Sequence, residues 1–421
     1  MITCFPSHPS LRACAGRESS SPRNRAAASA LLSALLAIAL SAGIAPATGL
    51  AASESGPWDV PALERTPAAT WGAVSGLVQE VTYAGEPLRG KPTQVFAYYA
   101  KPAGAGPFPG VVLVHGGGGK AFREWTEHWA QRGYAALAMD TAGNGPAGRL
   151  PDGGPDQNDE EKFREFSADG VRDMWTYHAV AAVLRAHSLL LARPEVDPQR
   201  TALTGISWGG YLTCIVAGLD HRFKAAVPVY GCGFLAEDSY WVGPQFAKMD
   251  EARRARWVQA FDPSRYLGGA TCPMLFVNGT NDFAYPLDSH RKSFALVQAP
   301  KTLSLKINLP HGHIWTMLEV DTFIDGVLTG GLPLATFTEP QVAAGRLTAS
   351  LAGKVDIAKV ELCYTTDTGK WQQRAWRTMP AEDHAGAVSV ALPATRPLTC
   401  FLLATDVRGL CVSTTHVEIA P

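Results

Sequence analysis

A serine hydroxyl is a poor nucleophile until a base takes its proton, and the base works best when a third group fixes its ring. Residue types for that chemistry occur at three places along the chain. Ser207 lies in Gly205-Ile206-Ser207-Trp208-Gly209, after β-forming residues (201–203) and before a helix-compatible run (211–218). A serine between two such elements occupies a very tight turn, and the glycines suit places where a Cβ would clash. Five residues alone read equally well as an ordinary glycine-rich turn, so the rest of the chain has to decide. Asp282 closes Asn278-Gly279-Thr280-Asn281-Asp282, and His311 and His313 flank Gly312. With Ser207 as nucleophile, a histidine would take the proton during attack and return it to the leaving alcohol. Asp282 would fix the imidazole tautomer, although beside Asn281 it also suits a turn cap.

These residues need elements that bring them together. The run 110–114 is apolar enough for a strand buried on both faces, and it ends in His115-Gly116-Gly117-Gly118-Gly119. A helix-like segment (122–131) and a strand (135–139) follow, which is the grammar of a parallel βαβ unit. An amphipathic helix (171–192), the serine turn, and strands at 224–230, 273–277 and 303–309 continue it, with a last helix at 315–328. Residues 78–83 and 93–99 read as a hairpin, 53–70 as a linker or surface strap, and 141–169 as a long functional loop. An insertion over 231–267 carries Trp241, Phe246, Trp257 and Phe261, as core or as substrate wall. Ser207, Asp282 and the histidines all follow strand ends, where open α/β sheets place their ligands.

The order Ser, Asp, His and the glycine run before the first crossover helix identify a resemblance. Residues 78–332 resemble the α/β-hydrolase superfamily. Within it, Leu113-Val114-His115-Gly116-Gly117-Gly118-Gly119, Gly205-Ile206-Ser207-Trp208-Gly209-Gly210-Tyr211 and Asn278-Gly279-Thr280-Asn281-Asp282 are similar to the bacterial acetylxylan esterase and prolyl-oligopeptidase-like group, which is related to the dienelactone hydrolases. The resemblance implies a Ser207-His313-Asp282 triad acting through an acyl-enzyme. His313 is preferred over His311 because the base of this superfamily generally lies further into the loop beyond the strand. It also implies oxyanion donors at Trp208 and in the glycine loop, Gly117 first, with Gly116 and Gly118 as alternatives. His115 is expected to orient that loop. The implied substrate is a short acyl ester, acetyl above all, of a carbohydrate. A prolyl-oligopeptidase-like peptidase is the nearest rival, disfavoured because the roughly 25 residues between an expected export signal over 1–52 and the hairpin cannot make a propeller blade of about 40. A dienelactone-hydrolase activity is disfavoured because that family has cysteine where Ser207 stands. An inactive hydrolase fold serving as a binding module is the rival of another class.

Composition bounds the rest. With 46% hydrophobic and 18% charged residues, the 421-residue chain has material for a large core and more than one domain. A net charge of −1 gives no reason to expect nucleic acid or an anionic membrane as partner. Arg23 and Arg25 precede an uncharged apolar run to Ala47, then small residues, which predicts an export signal over 1–52 cleaved near 47–52. An exported, periplasmic or extracellular hydrolase is therefore expected, with domains at 53–332 and 335–421. The latter shows six short alternating strands and reads as an immunoglobulin-like β-sandwich. Its Trp371 and Trp376 could form a sugar platform or core. His311 and His313 alternate as two metal ligands would, yet no third ligand is suggested nearby, so neither metal nor cofactor is expected. Cys214, Cys232 and Cys272 in the middle and Cys363, Cys400 and Cys411 near the end allow at most one bridge per group.

Overall fold

The apolar runs that the sequence marks become strands hidden on both faces, because β-rich segments without polar alternation can only be satisfied under helices. The structure, a computed structural model, describes residues 55–421, so the expected export signal lies outside the described residues. In chain order the main strands are β1 (Ala69–Ser75), β2 (Val78–Ala84), β3 (Gln94–Ala100), β4 (Phe108–Val114) and β5 (Ala135–Met139). They continue as β6 (Val196–Ile206), β7 (Ala225–Val229), β8 (Met274–Gly279) and β9 (Lys301–Lys306). All nine form one sheet in the order β1-β2-β3-β5-β4-β6-β7-β8-β9. Neighbours from β1 to the β3–β5 pair run antiparallel, and every later pair is parallel. Val112 at the centre stands between Leu137 and Leu203, all three fully buried. The result is the α/β-hydrolase core that the resemblance implies, built on the parallel sheet that the βαβ grammar predicts.

Helices fill the crossovers: α1 (Arg123–Gln131), α2 (Trp175–Leu191), α3 (Trp208–Leu219), α4 (Glu251–Phe261), α5 (Leu287–Leu296) and α6 (Leu318–Leu328). α1 and α6 are tied together by His128 and Asp321, 2.8 Å apart. Of the two readings of the segment before the hairpin, linker or surface strap, the packing fits a strap: Trp58 is buried and stacked on Tyr177, and β1 adds an outer strand to the hairpin. β1 escapes a pattern search because its side chains are almost all partly or fully exposed. The loop strand before His311 ends at Lys306, three residues earlier than the apolar pattern suggests. Asn308, at φ +55°, turns the chain there and donates its N–H to the Thr280 hydroxyl.

Beyond Thr336 the main elements are antiparallel strands in two sheets of five, with Arg346–Ala352 pairing Ala387–Ala391 and Ile357–Thr365 pairing Leu398–Asp406. The described residues form one compact unit, and side chains lock the C-terminal sheets onto the core. The Leu305 N–H donates to the Ser413 hydroxyl at 3.0 Å, and the Cys411 N–H to the Glu319 carboxylate at 2.9 Å. Trp371 and Trp376 belong to this packing: Trp371 is buried with its indole N–H on Asp288, and Trp376 lies against Phe401. All six cysteines of the described residues are free thiols, and five are buried.

Candidate active site

β6 runs into α3 with one residue between them. That residue is Ser207, at φ +60° and ψ −118°, a conformation that costs an L-residue roughly 1–3 kcal/mol and persists only where its surroundings impose it. The surroundings are backbone. The Ser207 N–H donates to the Val229 carbonyl at 2.9 Å. A Cβ on Gly205 would lie 2.4 Å from the Gly209 carbonyl oxygen, and one on Gly209 would lie 2.1 Å from that of Val114. No side chain fits either place, so both glycines are required for strand and helix to approach this closely.

The loop after β8 brings Asp282 to the serine. One carboxylate oxygen accepts the N–H groups of Ala284 (2.8 Å) and Tyr285 (2.7 Å), which fixes the plane of the carboxylate. The other lies 2.6 Å from His311 Nδ1, and His311 Nε2 lies 2.9 Å from Ser207 Oγ. An ionised carboxylate only accepts, so the ring proton sits on Nδ1 and the Nε2 lone pair faces the hydroxyl. The imidazole stacks on Tyr230 with centroids 4.4 Å apart, and the Tyr230 hydroxyl donates to the Pro310 carbonyl just before it.

The histidine between Ser207 and Asp282 is therefore His311, and the expectation of His313 in that place is corrected. His313 points the other way. Its Nε2 accepts the Gly116 N–H at 2.9 Å, and its ring packs on Phe122 and Trp125. Burial, helped by nearby His115 and His311, lowers its pKa to about 4, so it is neutral and keeps the lone pair that Gly116 needs. The two histidines use their Nε2 atoms on different partners, so they do not form the paired ligands of a metal site. Among the described residues Asp288, His416 and Glu418 do cluster, but Arg291 and Arg374 already stand near the two carboxylates.

His115 holds the glycine loop from the other side. Its Nε2 accepts the Thr141 N–H at 2.9 Å, so its Nδ1 carries the proton and donates to the Gly116 carbonyl at 2.8 Å. Burial lowers its pKa to about 4, in keeping with a neutral ring. Both polar groups of the Gly116 residue are thus occupied, its N–H by His313. The next residue, Gly117, lies beside the serine turn: a Cβ there would come within 3.0 Å of Trp208 Cδ1. Trp208 is the first residue of α3, so its N–H has no acceptor within the helix. Gly117 thus packs against the ring of Trp208, the residue that follows Ser207. Nothing in the sequence marks His313 as the residue that orients the loop.

Aromatic rings close the space around the turn. Trp241 lies 4.4 Å from Trp208 and 5.4 Å from Tyr285 by centroids, and Tyr285 is parallel to His311 at 6.4 Å. Trp257, Phe246 and Phe261 are buried core of the insertion. The long loop packs here as well. Its Lys162 is buried with Nζ 4.3 Å over the Trp208 ring and 2.9 Å from Asp159, and burial lowers its pKa.

The acetyl xylan esterase (AXE1) family profile matches residues 74–240, a stretch that includes the glycine loop and the serine turn. The acetyl esterase Axe7A of Xylanibacter ruminicola is 26% identical over 251 residues, which is 54% of each chain. An acetyl xylan esterase from Paenibacillus sp. R4 superposes with a TM-score of 0.55 at 23% identity, over 64% of this chain and 92% of that one. This is an α/β-hydrolase-fold protein related to the acetyl xylan esterases. A second curated relative is the uncharacterized peptidase YuxL of Bacillus subtilis, 24% identical over 51% of this chain and 32% of that protein. The chain thus spans about half, or less, of the length of these curated relatives. Among the described residues, no helix of this hydrolase-fold protein is long and apolar enough to cross a membrane.

Proposed function

We propose that this protein is a serine carboxylic-ester hydrolase that removes short acyl groups, acetyl above all, from a carbohydrate. The observation that carries the reading is the relay of 2.9 Å and 2.6 Å from Ser207 Oγ through His311 to Asp282. The Ser207 proton passes to His311 Nε2 as Oγ attacks the ester carbonyl carbon. The tetrahedral oxyanion faces the N–H groups of Gly117 and Trp208. Collapse breaks the bond to the alkoxy oxygen, and His311 returns the proton to the departing alcohol. Water then repeats the cycle on the acyl-enzyme and releases the acid. Asp282 keeps the imidazole in the one tautomer that can accept the proton and stabilises the imidazolium that forms.

The acyl preference is supported by the rings of Trp208, Trp241 and Tyr285, which crowd the space beside Ser207. The names of the matching family and relative, acetyl xylan esterase and acetyl esterase, point the same way. The basic, then apolar N-terminal stretch supports export, and we read the C-terminal sheets as an immunoglobulin-like sandwich. An organophosphonate ester probe followed by intact-mass measurement tests the mechanism. Wild type should gain a single adduct on the Ser207 peptide, while Ser207→Ala gains none and His311→Ala gains one only at a greatly reduced rate. A folded wild type that takes no adduct would overturn the reading.

A further inference from the structure

Beside the serine site lies a cleft of about 930 Å³, within the range of about 300–1,000 Å³ usual for ligand sites. One wall is the insertion, with Asp238 and Tyr240, continued by Phe283 from the loop that carries Asp282. The other wall comes from the C-terminal sheets, with Lys370 and Gln372. The cleft adjoins the proposed base: the Phe283 ring lies 4.9 Å from the His311 ring, and the Gln372 side-chain amide donates to the Asp282 carbonyl at 3.1 Å.

The large hydrophobic side chains that stand exposed among the described residues are mostly aliphatic. Two are aromatic, Tyr240 at 53% and Phe283 at 51% exposure, and both line this cleft. Their rings meet edge to face, with centroids 6.1 Å apart. Trp371, for which the sequence left a sugar platform or core open, is unsuitable as a platform: it is buried, and the Arg374 guanidinium covers its ring at 3.6 Å. The lining carries two carboxylates, Asp238 and Asp288, and two cations, Lys370 and Arg374, so the cleft has no dominant sign. A ligand with apolar C–H faces and neutral hydrogen-bonding edges matches that surface, which describes a sugar ring better than an anionic or a wholly apolar group.

We propose that the alcohol part of the substrate, a saccharide chain, lies in this cleft on Tyr240 and Phe283, with the C-terminal region forming its far wall. The proposal rests on the esterase reading, since it assigns the place of the leaving alcohol. The test compares 4-nitrophenyl acetate with an acetylated xylo-oligosaccharide on wild type, Tyr240→Ala and Tyr240→Phe. Tyr240→Ala should lose about tenfold in kcat/KM on the oligosaccharide, chiefly through KM, and stay within about twofold on the nitrophenyl ester. Tyr240→Phe keeps the ring and should recover most of that loss. Equal loss on both substrates, or loss on neither, overturns the cleft assignment. A wild type that cleaves the nitrophenyl ester and acetylated peptides but no acetylated saccharide overturns the saccharide while leaving the esterase standing. A wild type that cleaves neither ester overturns the esterase reading itself.

Discussion

Replacing His311 and His313 separately by alanine should produce two quite different enzymes. His311 touches Ser207 Oγ at 2.9 Å and Asp282 at 2.6 Å, so His311→Ala removes the proton acceptor in contact with the nucleophile. Loss of such a base typically costs on the order of 10⁴–10⁶ in kcat, or roughly 5–8 kcal/mol of transition-state stabilisation. His313→Ala removes one acceptor, that of the Gly116 N–H at 2.9 Å. An orphaned buried donor costs about 1–3 kcal/mol, which caps the effect at roughly 5- to 150-fold if all of it reaches the transition state. His313→Gln, with a side-chain carbonyl that can accept the same N–H, should fall between His313→Ala and wild type. The assay is kcat on 4-nitrophenyl acetate at pH 8, with thermal melts to show that each variant is folded. A His311→Ala enzyme within tenfold of wild type, beside a dead His313→Ala, would refute the reasoning and return the base to His313.

Three further outcomes follow from the same geometry. Burial, opposed by the N–H groups of Asn144 and Ala142, raises the Asp140 carboxyl to about 6 from an ordinary 3.8, so the folded chain holds a proton there that the unfolded chain releases. That contribution is present below pH 3.8 and lost as pH rises through 6, so Asp140→Asn should stabilise the protein more at pH 8 than at pH 4, by up to roughly 3 kcal/mol, in parallel denaturant titrations; an equal shift at both pH values contradicts it. Trp241→Ala should open the space beside Trp208 and move the preferred acyl length from acetyl toward butyryl or hexanoyl in a nitrophenyl ester series, and an unchanged series would place the acyl group elsewhere. Native thiol titration should label at most Cys411 among the six free cysteines of the described residues, because burial hides the others and raises their pKa values; rapid labelling of several would mean the cores around them are open.

The serine turn was legible because its demands are local. Gly205 and Gly209 are the residues that a strand–helix junction of this tightness tolerates, and they are contiguous with Ser207 in the chain. The sheet was legible through runs such as 111–114 and 135–139, buried on both faces. The choice between His311 and His313 was not. It depended on where β9 stops, and apolar Ile307 and Leu309 prolong the strand pattern past Lys306, although the chain already turns at Asn308. With the strand ending at Lys306, His311 is itself well into the loop. Tyr230, which pins that loop, is about 80 residues away in sequence, so no local pattern carries the information.

β9 ends the nine-stranded sheet, and the Ser413 hydroxyl accepts an N–H from it at Leu305. An edge strand with open backbone groups invites another chain to pair with it. Removing residues 335–421 would uncover that edge together with apolar Leu303 and Leu305, and the product should associate with itself before it loses chemistry. The C-terminal sheets act in this respect as a guard against aggregation, so a shortened chain should first be judged by how much of it stays in solution.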